Sequence, residues 1–560
     1  MKKKIVIVGG VAGGATAAAK LRRLDESLEI VIFERDEYIS FANCGLPYYI
    51  GNIIKDREKL LVQTIEGMST RFNLDIRNLS EVVKIDREQK KVRIRKIPSN
   101  VEYEETYDIL ILSPGASPIV PPFEGLKEAN NVFVLRNIPH TDAIYDFIQT
   151  KQPKTATVIG GGFIGVEMAE NLKDRGLDVT LVEMADQVLT PIDFEMAQLV
   201  HEELTRHGIK LVLQDGVKRL NNQGKTVITQ SGKAIPSDLI ILAIGVFSEV
   251  KLAEEAGLVI GENRAILVNE HLQTSDPDIY AIGDAIEVKS LVCDKKVKIP
   301  LAWPANRQGV VVANVITGQE DDYPGSLGTA VAKVFDLTVA TTGINERIAR
   351  SFGLDVDVVH INRSNHASYY PNATPIIIKA IFDKHTGQIY GAQAVGQEGT
   401  EKRIDVLATA IIAGLKITDL KRLELAYAPP YSSAKDPVNI LGYVGEHIFL
   451  QEHKTIQWYD VKKLLDEKAY FLDVRTPFEY DLGHIPYSIN IELDVLREQL
   501  DRLPSKDTPI YITCQVGHRG YLAVRILMQH GYTNVFNLDG GYRLYEIANH
   551  DFSHPTGSTG

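Results

Sequence analysis

The residues best suited to chemistry in this 560-residue chain are two of its three cysteines. Cys44 lies in S-F-A-N-C-G-L-P-Y-Y, residues 40–49, and Cys514 opens C-Q-V-G-H-R, residues 514–519. Only the thiolate reacts, so each site has to bring the sulfur below its ordinary pKa of about 8.5, which a helix N-terminus or a nearby cation does. The step Cys44-Gly45-Leu46-Pro47 either opens such a helix or uses Pro47 to shape a turn. Cys514 follows a short apolar strand, 510–513, and precedes a helical run, 521–530. A strand-to-helix turn of this kind aims backbone N–H groups at the sulfur, and the helix dipole and Arg519 favour its negative charge. Such a cradle holds a thiolate, and equally the persulfide it becomes on taking a sulfane sulfur. The plain alternative for either residue is a small buried core cysteine. Cys293, in L-V-C-D-K-K, has no motif around it and reads as structural or incidental.

A thiol such as Cys44 exchanges electrons when a flavin is bound beside it, and the elements ahead of it fit that use. A buried strand, 5–8, runs into G-G-V-A-G-G and then a helix, 15–24; the next strand ends at Glu34, twenty residues after Gly14. Gly9, Gly10, Val11, Ala12 and Gly14 make a tight turn that places a pyrophosphate at a helix N-terminus, and Glu34 meets ribose hydroxyls. Val11 stands where the middle glycine of G-x-G-x-x-G is expected. A second unit is cleaner: strand 157–159, then G-G-G-F-I-G with Gly160, Gly162 and Gly165, a helix through 171, and strand 179–182 ending at Glu183. An acid there hydrogen-bonds a ribose 2′-hydroxyl and repels a 2′-phosphate, so NADH is expected, with NADPH as second choice. Two units about 150 residues apart imply two dinucleotides. Further buried strands run into turns at 107–116 (Y-D-I-L-I-L-S-P-G-A), 239–246 (L-I-I-L-A-I-G-V) and 279–284, the last ending on Asp284.

Bulk properties narrow the field. A chain this long exceeds one core, and 44% hydrophobic with 24% charged residues is ordinary globular composition. A net charge of −12 argues against nucleic-acid or anionic-membrane partners. An anionic ligand must therefore meet a local basic patch: Lys20, Arg22 and Arg23 cluster on the first helix, and Arg71 follows a loop. Solvated helix-face charge is the alternative for Lys20 and Arg22. The cysteines lack zinc spacing or a disulfide framework, and the histidines form no H-x-x-x-H or H-E-x-x-H pair, so no metal is expected. The apolar run of M-K-K-K-I-V-I-V-G-G is cut by glycines, and no segment nears the ~18 apolar residues of a membrane span, so a cytoplasmic location is expected.

The first glycine turn, S-P-G-A with Ser113, Pro114 and Gly115, and Asp284 together resemble the FAD-binding set of the flavoprotein disulfide reductases. The resemblance covers roughly residues 1–450. It implies an FAD domain split around an inserted NAD domain, Asp284 on the flavin's ribitol chain, and an interface domain that makes a homodimer. Within that family S-F-A-N-C-G-L-P-Y is most similar to coenzyme A-disulfide reductases and their single-cysteine oxidase and peroxidase relatives. The two-cysteine members carry C-x-x-x-x-C; here the fifth residue after Cys44 is Tyr49, so Cys44 must pair with the substrate. A-Y-A-P-P-Y, residues 426–431, replaces the His-Glu acid of those members, and H-P-T at 554–556 reads as coincidence. Tyr369 and Tyr427 match two tyrosines that the partner subunit brings to the cysteine; ordinary interface packing is the alternative. Arg23, Ser40 and Asn43 match coenzyme A contacts, and Phe72 stands where a lysine is expected, with Arg71 one place earlier. From Trp458 the chain resembles a single rhodanese domain, L-D-V-R, E-Y-D-L-G-H-I-P and the Cys514 loop carrying the likeness; a six-residue loop suits sulfur, whereas related phosphatases need one more residue.

The expected fold is α/β: two Rossmann-like dinucleotide-binding domains, an α+β dimerisation domain and a C-terminal α/β rhodanese domain. The expected boundaries are 1–118 with 250–325 for FAD, 119–249 for NAD(P)H, 326–445 for dimerisation, 446–456 as linker, 457–550 for rhodanese and 551–560 as a disordered tail. The expected function is an FAD-dependent, NAD(P)H-linked reductase of coenzyme A disulfide, coenzyme A persulfide or polysulfide, fused to a sulfurtransferase. The alternatives are an NADH oxidase or peroxidase cycling Cys44 through sulfenic acid, and a sulfur or redox sensor.

Overall fold

The computed structural model describes residues 3–553. The chain divides into two compact units, one of residues up to 185 with 212–328, the other of 186–211 with 329 onward.

The first unit is built on two parallel sheets. In one the strand order is Ile279–Ala281, Ile109–Leu112, Lys4–Val8, Glu29–Phe33, Asp75–Arg77. Ile5, Val6, Ile7, Leu110 and Ile111 are wholly buried, as in a sheet covered on both faces, and each contributes about 1.5–3 kcal/mol by leaving water. Register does the positioning: Val8 pairs with Phe33 and Leu112, and Leu112 with Ala281. The strands therefore finish level, and Gly9, Glu34, Ser113 and the Asp284 turn gather at one edge. The Gly13–Leu24 helix lies on the Ala302–Ile316 helix, so close that a Cβ on Gly309 would stand 2.6 Å from the Gly13 carbonyl.

The second sheet repeats the plan. Thr155–Ile159 lies between Asp178–Val182 and Leu239–Leu242, with Val132–Val134 beyond. Ile159 pairs with both Val182 and Leu242, which brings Gly160, Glu183 and Ala243 to a common edge.

The second unit combines a five-stranded antiparallel sheet and a five-stranded parallel one. The antiparallel order is Ala330–Val334, Leu337–Gly343, Ile389–Gly396, Pro375–Asp383, Val356–Ser364, with the Thr400–Ile412 and Pro437–Phe449 helices packed against it. The parallel order is Lys454–Ile456, Val535–Leu538, Ile510–Thr513, Tyr470–Asp473, Ile489–Asn490. Leu472, Ile510, Ile512, Val524 and Leu527 form its core. The helix after Cys514 starts earlier than the sequence pattern indicates, as His518–Gln529, because Gly517 at φ 95° turns the chain directly into it.

Residues 186–211, inside the stretch expected for the NAD(P)H domain, pack with the second unit. The Phe194–Arg206 helix buries Met196, Ala197, Val200 and Leu204 there, and Asp193 and Glu195, flanking its start, meet the buried Lys379 ammonium at 2.9 and 2.5 Å. Two Rossmann-like domains, an α+β domain and a C-terminal α/β domain are thus present, as expected. No described helix is long and apolar enough to cross a membrane. The H-P-T stretch and the tail from 554 lie outside the described residues.

Candidate functional site

Both glycine turns are built to approach a ligand with bare backbone. Gly9 has φ 100° and Gly160 φ 108°, where an L side chain is strained. A Cβ on Gly9 would stand 2.1 Å from the Ser113 carbonyl, and one on Gly160 2.3 Å from the Ala243 carbonyl. Gly14 and Gly165 each press on the carbonyl of the first glycine, at 1.9 Å from a hypothetical Cβ. Gly162 faces open space, room for an incoming group. In the first turn Val11 fills that position, and Ala12 takes φ 45° to start the helix. Neither the Gly13–Leu24 nor the Phe163–Asp174 helix has a capping side chain or an acid in its first turn, so their first N–H groups are left for an anion.

The two acids behave alike. Glu34 accepts from the Gly10 and Asp36 amides at 2.8 and 2.9 Å. Glu183 accepts from the Gly161 and Ala185 amides at 2.6 and 2.8 Å. Each closes its own glycine turn and stands at the edge where a ribose would lie. Burial pushes Glu34 up. Asp284, in the Gly283–Ala285 turn, is pushed up to about 6 by burial, against the pull of Arg136. Arg136 also holds the Pro114 carbonyl at 3.2 Å, and Gly115 turns at φ 74°. Two uncapped helix starts, an open Gly162 and a buried acid at the strand ends fit two dinucleotides.

Cys44 sits in a single turn, Asn43–Gly45, that runs straight into the Leu46–Ile50 helix with Pro47 in its first turn. Pro47 thus opens a helix rather than only shaping a turn. The expected lowering of the thiol is not what the chain supplies. Cys44 is pushed up, first by desolvation, then by Glu167 and Asp284. Both charged groups that act on it are carboxylates. Glu167 itself is pushed up to about 7 by burial and then Glu170, and Tyr48 to about 12 by burial and then Glu167. Glu167 and Tyr48 went unrecognised in the sequence. The available signal was V-E-M-A-E immediately after Gly165.

The basic patch divides. Arg22 is buried, and its guanidinium donates to the Phe72, Asn73 and Glu26 carbonyls at 2.9 Å each. It holds the first helix to the end of the Ile65–Phe72 helix and is not a ligand contact, which corrects the expectation. Arg23 and Arg71 are exposed and Lys20 half-buried. Ser40 adopts φ 46° and donates its amide to the Gly10 carbonyl at 3.1 Å, tying the Cys44 loop to the first glycine turn; Asn43 is exposed.

In the second unit Tyr369 and Tyr427, 58 residues apart, meet hydroxyl to hydroxyl at 2.8 Å. They are 74% and 47% exposed, a polar pair offered outward. Cys514 is the opposite: its residue is 1% exposed, and the Gly517 amide donates to Sγ at 3.2 Å. The loop is buttressed from behind by the Tyr542 amide on the Cys514 carbonyl at 2.7 Å and the Arg543 amide on the Gln515 carbonyl at 3.1 Å. Arg475, buried against Asp473, reaches Gln515 Oε1 at 3.1 Å. Arg519 forms a bidentate pair with Glu479, at 2.7 and 2.5 Å, with Cys514 inside its electrostatic reach. Cys293 is a free, half-buried cysteine.

Comparison with known proteins agrees with this geometry. A family model described as pyridine nucleotide-disulphide oxidoreductase matches residues 3–309, the dimerisation domain of the same family matches 329–437, and a rhodanese-like domain matches 457–548. The chain belongs to the pyridine nucleotide-disulphide oxidoreductases, flavoprotein enzymes working with FAD and NAD(P)H, and carries a C-terminal rhodanese-like domain. Its relatives are more particular. It is 39% identical over 441 residues to the coenzyme A disulfide reductase of Staphylococcus aureus, covering 79% of this chain and 99% of that protein. It is similar to reduced Bacillus anthracis CoADR-RHD, at 57% identity, 98% of both chains and a TM-score of 0.96. It also resembles a NAD-dependent persulfide reductase from A. fulgidus, at 38% identity, 97% of this chain and 99% of that one, with a TM-score of 0.90.

Proposed function

We propose that the chain is an FAD-dependent, NADH-linked reductase of coenzyme A disulfide, coenzyme A persulfide or polysulfide, with Cys514 as a sulfur carrier. The observation that carries this is the pairing of a lone, accessible Cys44, with Tyr49 five residues on, and a buried, amide-cradled Cys514 in one chain. Residues 1–118 with 250–325 would hold FAD, 119–249 the nicotinamide nucleotide, 326–445 the partner subunit of a homodimer, and 457–550 the sulfur carrier. Glu183 supports NADH over NADPH. Three free cysteines suit a reducing, cytoplasmic setting.

FAD, when bound, supplies the passage of two electrons from NADH to a disulfide at Cys44. The first glycine turn with Glu34, the Ser113–Gly115 loop and Asp284 would hold it, and Gly160, Gly162, Gly165 and Glu183 would hold the nicotinamide nucleotide. The Cys44 thiolate attacks the coenzyme A-bearing sulfur of its substrate. The S–S bond breaks, a Cys44–coenzyme A disulfide forms, and either coenzyme A thiolate or sulfide leaves. Two electrons and a proton then return Cys44 and release coenzyme A. Tyr369 and Tyr427 of the partner subunit would protonate or stabilise the leaving thiolate, a task suited to a hydrogen-bonded phenol pair. Lys20, Arg23 and Arg71, with Ser40 and Asn43, would meet the phosphates and chain of coenzyme A, as substrate or as bound cofactor. The Cys514 thiolate would attack a sulfane sulfur of polysulfide, breaking its S–S bond and releasing the shortened polysulfide. The persulfide then passes its outer sulfur to the Cys44 or coenzyme A thiolate, freeing Cys514, and two electrons and a proton release it from Cys44 as hydrosulfide.

The test is anaerobic NADH oxidation with coenzyme A disulfide, coenzyme A persulfide or polysulfide, against air and peroxide. Turnover on the sulfur substrates, lost in Cys44→Ser, is the expected result. Turnover on oxygen or peroxide alone would overturn the reading in favour of an oxidase or peroxidase.

A further inference from the structure

The second unit buries a charge network that the mechanism above does not use. Lys379 Nζ is wholly enclosed and touches Asp193, Glu195 and Glu346 at 2.9, 2.5 and 2.6 Å. Glu195 passes the chain of contacts to His360 Nε2 at 3.0 Å, and His360 Nδ1 meets Asp539 Oδ2 at 2.7 Å. The His360 amide also donates to both Asp539 oxygens, at 3.2 and 3.0 Å, and Gln457 Nε2 adds a contact at 3.2 Å. His360, Asp539 and Glu195 are each under 5% exposed. Buried ion networks cost desolvation and are weak sources of stability; their best-attested use is to fix one arrangement.

The arrangement fixed here leads to Cys514. Asp539 is followed by Gly540 and Gly541, at φ 73° and 68°. A Cβ on Gly541 would stand 2.6 Å from the Cys514 carbonyl and 2.7 Å from the Val516 amide. Tyr542 and Arg543 then donate their amides to the Cys514 and Gln515 carbonyls. On the other side His360 belongs to the Val356–Ser364 strand, whose Arg363 acts electrostatically on His518 in the Cys514 loop. The same strand runs on within five residues to Tyr369.

We propose that His360 and Asp539 are positioning residues for sulfur transfer, locking the backbone behind the Cys514 loop to the dimerisation-domain strand that leads to Tyr369. This rests on the reading of Cys514 as a sulfur carrier. His360 needs its proton to bridge two carboxylates, and it is held up to about 9 by Asp539 and Glu195, against burial and Lys379. Lys379 is in turn faced by Asp193 and Glu346, and Asp539 also by His453. The lock therefore persists through neutral pH and opens as pH rises through about 9.

The experiment uses the full-length holoenzyme and compares wild type with His360→Gln and Asp539→Asn. Three readouts are followed against pH: thiosulfate-to-cyanide sulfur transfer, the rate of Cys514 alkylation by iodoacetamide resolved by peptide mass spectrometry, and NADH-driven coenzyme A-disulfide turnover. The expected result is sulfur transfer down about tenfold or more, as a misplaced reacting group costs. Coenzyme A-disulfide turnover should stay within twofold, and the wild-type break near pH 9 should vanish in His360→Gln. Sulfur transfer within twofold of wild type, or a loss that keeps the break near pH 9, overturns the proposal. His360→Gln leaves the rhodanese domain's own sequence intact, so it carries the test if Asp539→Asn fails to fold. If wild type transfers no sulfur, the carrier reading falls, and the alkylation rates still decide whether the pair positions Cys514.

Discussion

Cys44 and Cys514 both stand at turns that run into helices, yet their surroundings are opposed. Cys44 is accessible, lies before a five-residue helix, and its thiol is pushed up by desolvation and then by Glu167 and Asp284. Cys514 is buried, accepts an amide hydrogen bond from Gly517, precedes a twelve-residue helix and lies within reach of Arg519. One sulfur is met by a backbone amide of its own loop; the other is left in a carboxylate environment that a bound cofactor and substrate must offset. The difference teaches that motif position alone does not make a thiolate, since at Cys44 the burial and the carboxylates brought in by tertiary structure push the thiol up.

The comparison breaks most cleanly by removing each sulfur. Cys44→Ser should lower NADH-driven reduction by about a thousandfold or more, as loss of a nucleophile does, with thiosulfate-to-cyanide transfer unchanged. A smaller effect follows from Gly541→Ala, whose methyl would collide with the Cys514 carbonyl and Val516 amide. Sulfur transfer should drop about a hundredfold while coenzyme A-disulfide turnover holds, measured in parallel assays on one preparation.

The Cys44 side is sharpened by Glu167→Gln. Glu167 is ionised above about 7 and its charge, after burial, raises the thiol, so removing it should move the Cys44 alkylation profile to lower pH. An unmoved profile would show that burial alone sets this thiol. The smallest expected contrast separates neighbouring arginines. Arg22→Ala should cost about 2–4 kcal/mol of stability by stranding backbone carbonyls, with the KM for coenzyme A disulfide unchanged. Arg23→Ala should leave the melting temperature alone and raise that KM about fivefold, a phosphate contact's share.

What the sequence made legible was local. The glycine turns, the apolar strands before them and the acids after them are patterns of a few residues whose geometry follows from backbone sterics, and the structure has them at the registers those patterns imply. The Cys514 loop is local in the same way. Long-range pairing was not legible. Glu167 faces Cys44 because the Leu46–Ile50 and Phe163–Asp174 helices pack so closely that a Cβ on Gly51 would overlap Asn171 Oδ1 at 2.0 Å. Arg22 looked like solvated or ligand-facing charge until three carbonyls from two loops closed around it. His360 and Asp539 are 179 residues apart, and nothing in either neighbourhood announces the other.

The most direct test of the division of labour is Cys514→Ser assayed anaerobically for NADH oxidation with coenzyme A disulfide and, separately, with polysulfide. The account predicts coenzyme A-disulfide turnover within twofold of wild type and a marked loss on polysulfide. Equal losses on both substrates would contradict it, because Cys44 could then not act apart from Cys514.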